Sequence, residues 1–185
     1  MNPIEELKAE HEGIKASLEI LRSISRKMDE PEGVIDWNDL EDLLEFYTVF
    51  VDTCHHGKEE ELLFPALEAL GVSREGGPVG VMLVEHEEGR GHVRELKKAL
   101  AAHRQQEPAA AEAIRKHSGE YIRLLHRHIE KENQILFRIA EEHLSSEEKD
   151  KLEQGFERIE RERVGEGRHE AFHRKLEDLQ KKYIG

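Results

Sequence analysis

Cysteine is nearly absent from this chain: Cys54 stands alone among 185 residues, so no internal disulfide can form. Any metal site must therefore be built without a set of thiolates. Aromatic residues make up only 5%, and runs of Val, Ile and Thr are scarce, which argues against a β-sheet core. No long apolar run occurs, and the N-terminus is already charged at Glu5 and Glu6. Neither a membrane span nor a signal peptide is expected, and a cytoplasmic protein is the default. Positive charge is also short, with 28 Lys and Arg against 41 Asp and Glu, a net charge of −13. A nucleic-acid backbone or an anionic membrane is a poor partner for such a surface.

What the chain has instead is helix formers, 37% charged residues and 12 histidines. That composition predicts an all-α protein with solvated outer faces. Asn2 as cap with Pro3 behind it opens a first helix whose apolar stripe runs from Ile4 to Met28. Pro31 and Gly33 mark a turn, and Asp36 or Asn38 caps a second helix to about Leu70. The third carries Val79, Met82, His86, Gly89, Val93, Leu96 and Leu100, and breaks near Pro108. The fourth carries Ile114, Tyr121, Leu125, His128, Glu132, Ile135 and Ile139. Four amphipathic helices with short turns predict an up-down-up-down four-helix bundle over 1–143. Ser145 and Glu148 form a capping box, and Gly165 and Gly167 break the helix that follows. Residues 144–185 are thus expected to be an additional C-terminal helical hairpin, packed on the bundle or on a partner subunit.

The polar residues within the apolar stripes carry the chemistry. His55-x-x-x-Glu59 is repeated as His128-x-x-x-Glu132, and on an α-helix that spacing puts imidazole and carboxylate on one face. His11 and His86 interrupt the stripes of the other two helices. A lone histidine on an apolar face is ordinarily a satisfied core residue. Two carboxylates on buried stripes are not, because each is expensive to bury unless paired or bound to metal. Axial level adds a second test. His11 lies roughly 17 residues before the end of its helix and His55 roughly 17 after the start of the next. His86 and His128 lie roughly 18 from the facing ends of theirs, so antiparallel neighbours bring all four to one height. Val51, Glu59 and Leu62 surround His55 on its face, whereas Asp52 and Glu60 flank His56. That predicts His55 as the ligand and His56 as a surface or supporting residue.

Imidazole and carboxylate without thiolate suit iron, manganese or zinc. Four histidines and two bridging carboxylates favour a metal pair, with positions left for an oxo or hydroxo bridge and an exogenous ligand.

Taken in order, Glu10-His11-Glu12, then His55-x-x-x-Glu59-Glu60 leading into Leu63-Phe64-Pro65, Glu85-His86-Glu87, and His128-x-x-x-Glu132-Asn133 resemble the hemerythrin-like, or HHE cation-binding, family. The resemblance covers roughly residues 1–143. It implies a four-helix bundle around a non-haem di-iron centre, two Fe ions bridged by Glu59 and Glu132, with Zn or Mn as alternatives. Oxygen-carrying hemerythrins have a second histidine four residues beyond the third-helix ligand, where this chain has Arg90. Their last helix also pairs histidine with aspartate at a spacing of five. In its ligand set the chain is more similar to proteins that repair nitrosatively damaged iron centres, or to the iron-sensing hemerythrin domain of a eukaryotic ubiquitin-ligase subunit. Repair proteins of that kind carry an N-terminal cysteine-bearing segment that has no counterpart here.

The expected function is binding of, or reaction with, O2, NO or peroxide, or a response to iron, by a monomer or homodimer. The rival readings are an iron storage or sensing module without turnover and a structural zinc bundle. His169 and His173, one turn apart, either close over the site as an extra ligand or lie on a solvated face. His117 and Tyr121 line a channel or simply pack. His92, His103, His126 and His143 are expected at the surface or at helix ends, and Cys54 is a small core residue off the ligand face.

Overall fold

In the computed structural model, which describes residues 2–31, 33–165 and 167–185, every regular element is helical. The Asn2 side chain accepts the Ile4 N–H at 3.0 Å and Pro3 takes the first position of α1 (Pro3–Lys27). Asp36 accepts the Asn38 N–H at 3.0 Å and starts α2 (37–69). Gly71, at φ +91°, turns the chain in a conformation that favours glycine. α3 spans Pro78–Arg104 and α4 spans 110–143. The Ser145–Glu148 capping box opens α5 (146–164). Gly165, at φ +98°, ends it ahead of α6 (Arg168–Tyr183). Among the described residues no helix is long and apolar enough to cross a membrane.

Three helices depart from the regular α-helical spacing expected of them. α2 widens into π-helical turns over Tyr47–His56 and Glu59–Leu63, α4 does so over Glu132–Leu136, and α5 ends in one over Glu160–Val164. The amides of Gly57, Phe64 and Phe137 donate five residues back, to Asp52, Glu59 and Glu132. The Thr53 hydroxyl likewise reaches back five residues, to the Thr48 carbonyl at 3.0 Å. π turns are frequent at functional sites. Those of α2 and α4 hold or adjoin the His-x-x-x-Glu pairs, and that of α5 carries Glu160.

α3 packs along α4, α4 against α1, and α5 and α6 against α1 and the π turns of α2. The apolar interior falls into two clusters. One gathers Ile14, Leu18, Val51, Leu96 and Ile129 with Leu176 and Tyr183 of α6. The other gathers Ile4, Leu7, Leu63, Met82 and Leu136 with Phe156 of α5. Along each of α1 to α4 the chain passes from one cluster to the other through His11, His55–Glu59, His86 or His128–Glu132, all buried. The polar residues thus form a layer between two apolar halves.

Polar contacts fasten α5 and α6 to the rest. The Lys58 ammonium, fully buried, donates to Glu6, Glu10 and Glu160 at 2.6 Å each. The Ser23 hydroxyl donates to the Tyr183 carbonyl at 2.9 Å, and the Tyr183 hydroxyl donates to Asp39 at 2.7 Å. Burial disfavours the Lys58 charge, but the carboxylates, Glu10 foremost, outweigh it and raise its pKa. Removing one partner of a buried ion cluster leaves an uncompensated charge behind. Lys58→Ala is therefore expected to cost about 3–5 kcal/mol in chemical denaturation. A loss below about 0.5 kcal/mol, the range of a surface substitution, would show that Glu10 does not depend on Lys58.

Candidate metal centre

Each of the four helices α1 to α4 sends a histidine into the polar layer, and the rings of His11, His55, His86 and His128 are each oriented by a neighbouring helix. His55 Nδ1–H donates to Glu10 of α1 at 2.7 Å. His86 Nδ1–H donates to Glu60 of α2 at 2.7 Å, and His128 Nδ1–H to Glu85 of α3 at 2.9 Å. His11 Nδ1–H donates to the Asn133 side-chain carbonyl of α4 at 3.0 Å. The four bonds close a ring around the bundle axis. With every Nδ1 committed outward, every Nε2 is left unprotonated and facing inward in the neutral imidazole.

The outer carboxylates are held in turn by cations. Lys58 holds Glu10, Arg90 Nη2 donates to Glu60 at 2.7 Å, and Lys131 pairs with Glu85. Arg90 also donates to Asp52 at 2.7 Å. It therefore orients His86 through Glu60.

Inside the ring stand Glu59 and Glu132, both fully buried. Glu132 Oε2 lies 3.2 Å from His11 Nε2 and 3.2 Å from His128 Nε2, and its Oε1 lies 3.8 Å from His86 Nε2. Glu59 lies 3.5 Å from His55 Nε2 through Oε1 and 3.4 Å from His86 Nε2 through Oε2. Among the described residues, none of these four carboxylate oxygens accepts a hydrogen bond of acceptable geometry. Two buried carboxylates without such bonds cost several kcal/mol each unless a cation meets them. The donors resolve into two groups, His11, His55, Glu59 and Glu132, and His56, Glu59, His86 and His128. Within each group the ligating atoms lie within 4.8 Å of one another.

His56 is placed differently from expectation. It is 4% exposed, and its ring stacks on His86 with centroids 3.8 Å apart. In a π turn successive side chains are rotated by less than the α-helical 100° or so. Both His55 and His56 consequently face inward, although Asp52 still lies 3.5 Å from His56 Nδ1. Among the described residues that Nδ1 has no hydrogen-bond partner, unlike those of the other four rings.

The remaining candidates sit farther out. His169 Nε2 lies 3.8 Å from Glu10 and 3.9 Å from Glu160, behind the carboxylate that holds His55. His173 packs on His169 and on the edge of Phe50. Neither reaches Glu59 or Glu132 within the two groups. Tyr121 is buried against Tyr47, centroids 4.8 Å apart. Burial pushes the Cys54 thiol up to about 12, so it stays protonated and outside the donor set.

Without a cation, protons balance the layer. Burial opposes charge on His128 and His86, but Glu132 and its neighbours win. His128 rises to about 9 and His86 well above its usual range. Glu132 is held well below the carboxylate range despite its burial, chiefly by His128. His56 goes the other way, pulled well down by burial and by the facing rings of His86, His55 and His128. A cation at the centre would take over the role of the imidazole protons.

Sequence reasoning did not identify Glu10, Glu60, Glu85 and Asn133 as the ring that orients the histidines. Each is the chain neighbour of an inward residue, in Glu10-His11, Glu59-Glu60, Glu85-His86 and Glu132-Asn133. That adjacency is a usable signal, since on a helix the next residue points toward the adjoining helix. No curated protein and no solved structure matches the chain significantly. A family model, the hemerythrin HHE cation binding domain, matches residues 2–140. With the cation-demanding donor set lying inside that span, the chain belongs to the hemerythrin HHE cation-binding family.

Proposed function

We propose that the centre holds two metal ions, iron by resemblance to the family, and binds or reacts with a small ligand such as O2, NO or peroxide. The observation that carries this reading is the pair of buried carboxylates that accept no hydrogen bond among the described residues, met by the inward Nε2 atoms of the surrounding histidines. In it Glu59 and Glu132 bridge the two ions. His11 and His55 hold one ion, and His86 and His128, joined by His56, hold the other. The scaffold is read as an up-down-up-down four-helix bundle over 1–143, with 144–185 as a hairpin docked on α1 and α2.

A bound iron pair would supply redox capacity and an open coordination position. The protein's own residues set the access. A pocket of about 150 Å³ lies among α2, α3 and α4, lined by His56, Tyr121, Gly89 and Arg90 among others. A Cβ at Gly89 would make ordinary van der Waals contact with the Tyr121 ring at 3.5 Å, so a side chain there would narrow the pocket without a clash. The pocket is large enough for a diatomic or triatomic ligand and ends on His56. The Tyr121 hydroxyl makes no hydrogen bond to the described residues, and burial keeps it protonated, so it can donate to a ligand there.

Protein produced with ample iron should carry about two iron equivalents, with near-ultraviolet absorption that changes on adding azide. Less than one equivalent would rule out the di-iron reading, and a spectroscopically silent zinc complement would favour the structural alternative. Glu59→Ala and Glu132→Ala should each abolish metal retention measured by elemental analysis. His56→Ala should lose metal from one position only. A full complement in His56→Ala would return His56 to a supporting role.

The pH dependence of the metal-free protein follows from the raised histidines. His128 and His86 contribute stability fully below their unfolded value of about 6.5 and lose it as pH rises through the folded value, about 9 for His128. The thermal midpoint of metal-free protein should fall across that window, while metal affinity rises as the imidazoles deprotonate. A midpoint that climbs from pH 6.5 to 9 would contradict the protonated layer.

A further inference from the structure

Outside the centre, a second convergence of ligating side chains lies where α3 meets α4. His92, six residues beyond His86 in α3, places Nδ1 3.2 Å from the Nδ1 of His117 in α4. One turn on from His117, Glu120 places Oε2 3.6 Å from each of those nitrogens. A point equidistant from three atoms at these separations is about 2.0 Å from each, which matches Zn–N and Zn–O bond lengths. Hydrogen bonding alone explains the arrangement poorly. One ring N–H can serve the other ring's lone pair, but the carboxylate then lies beyond bonding reach of both. Three side chains would be immobilised for one neutral bond, a cost that a cation at their common point offsets.

Glu88 Oε1 lies 3.8 Å from His92 Nε2, beyond hydrogen-bond reach but on the side where a ligating imidazole ordinarily finds a carboxylate. All three residues are half-buried, so water can complete a four-coordinate site.

We propose that His92, His117 and Glu120 form a separate mononuclear site for a zinc-class divalent cation, cross-tying α3 to α4. It shares no ligand with the central donors and stands or falls independently of how those are filled. The donor set of two imidazoles and a carboxylate suits Zn²⁺, with Co²⁺ as its optical probe.

The test is calorimetric titration of Zn²⁺ into the 185-residue chain already loaded with iron, with iron content measured on the same samples. One further zinc equivalent is expected, lost in His92→Ala and in His117→Ala, whose iron content and near-ultraviolet spectrum stay at wild-type levels. Glu120→Gln should weaken it, and Co²⁺ should give a visible band in wild type that both histidine variants lack. No zinc bound beyond the central complement, or an unchanged equivalent in the histidine variants, would overturn the site. Should the protein take up no iron, total zinc per chain is compared instead. The histidine variants must then hold one equivalent less than wild type, so failure of the central reading remains distinguishable from failure of this one.

Discussion

Two carboxylates placed in the middle of a helical core, with four oxygens that accept no hydrogen bond among the described residues, set the terms for everything around them. A charge so placed costs several kcal/mol unless something positive meets it. Imidazole protons are one answer and a metal ion is another, and they compete for the same nitrogens. The histidines cannot turn away from that competition. Their outward nitrogens are already bound to Glu10, Glu60, Glu85 and Asn133, three of which are themselves anchored by Lys58, Arg90 and Lys131. Charge alternates outward from the centre in shells, and each shell is positioned by the next.

The closed ring explains how four separate helices arrive at one geometry. Each helix contributes a histidine to the interior and an acceptor to the next helix, so a rotation or slide of any one breaks two bonds at once. Arg90 shows how such a ring accommodates change. The family's oxygen carriers place a histidine at the corresponding position, whereas here the guanidinium secures Glu60 and a histidine from α2, His56, turns inward against His86.

Much of this was legible in the chain. The stripes, caps and glycines located the helices to within a residue or two, because capping and periodicity are local properties that packing does not overrule. The inward residues His11, His55, Glu59, His86, His128 and Glu132 stood out because charge on an apolar stripe is costly. His56 did not, because the helical wheel assumes a constant turn and α2 widens at that point. The ring partners were hidden for a different reason. Glu10 and Glu85 look like ordinary polar neighbours until the adjoining helix is known to present a histidine to each. The His92–His117–Glu120 cluster was equally invisible, since its parts come from two helices with no shared local pattern.

The division of the interior into two apolar halves has a consequence for how the molecule comes apart. In most small domains one continuous core makes unfolding all-or-none. Here the seam between the halves is made of groups that repel or attract according to what they hold. The four helices α1 to α4 run through the seam, so its charge balance bears on both halves at once. With the seam emptied, each half rests on its own contacts, Phe156 joining one and Leu176 and Tyr183 the other. Cooperativity in this fold would therefore depend on the charge balance of the seam as much as on the two apolar halves.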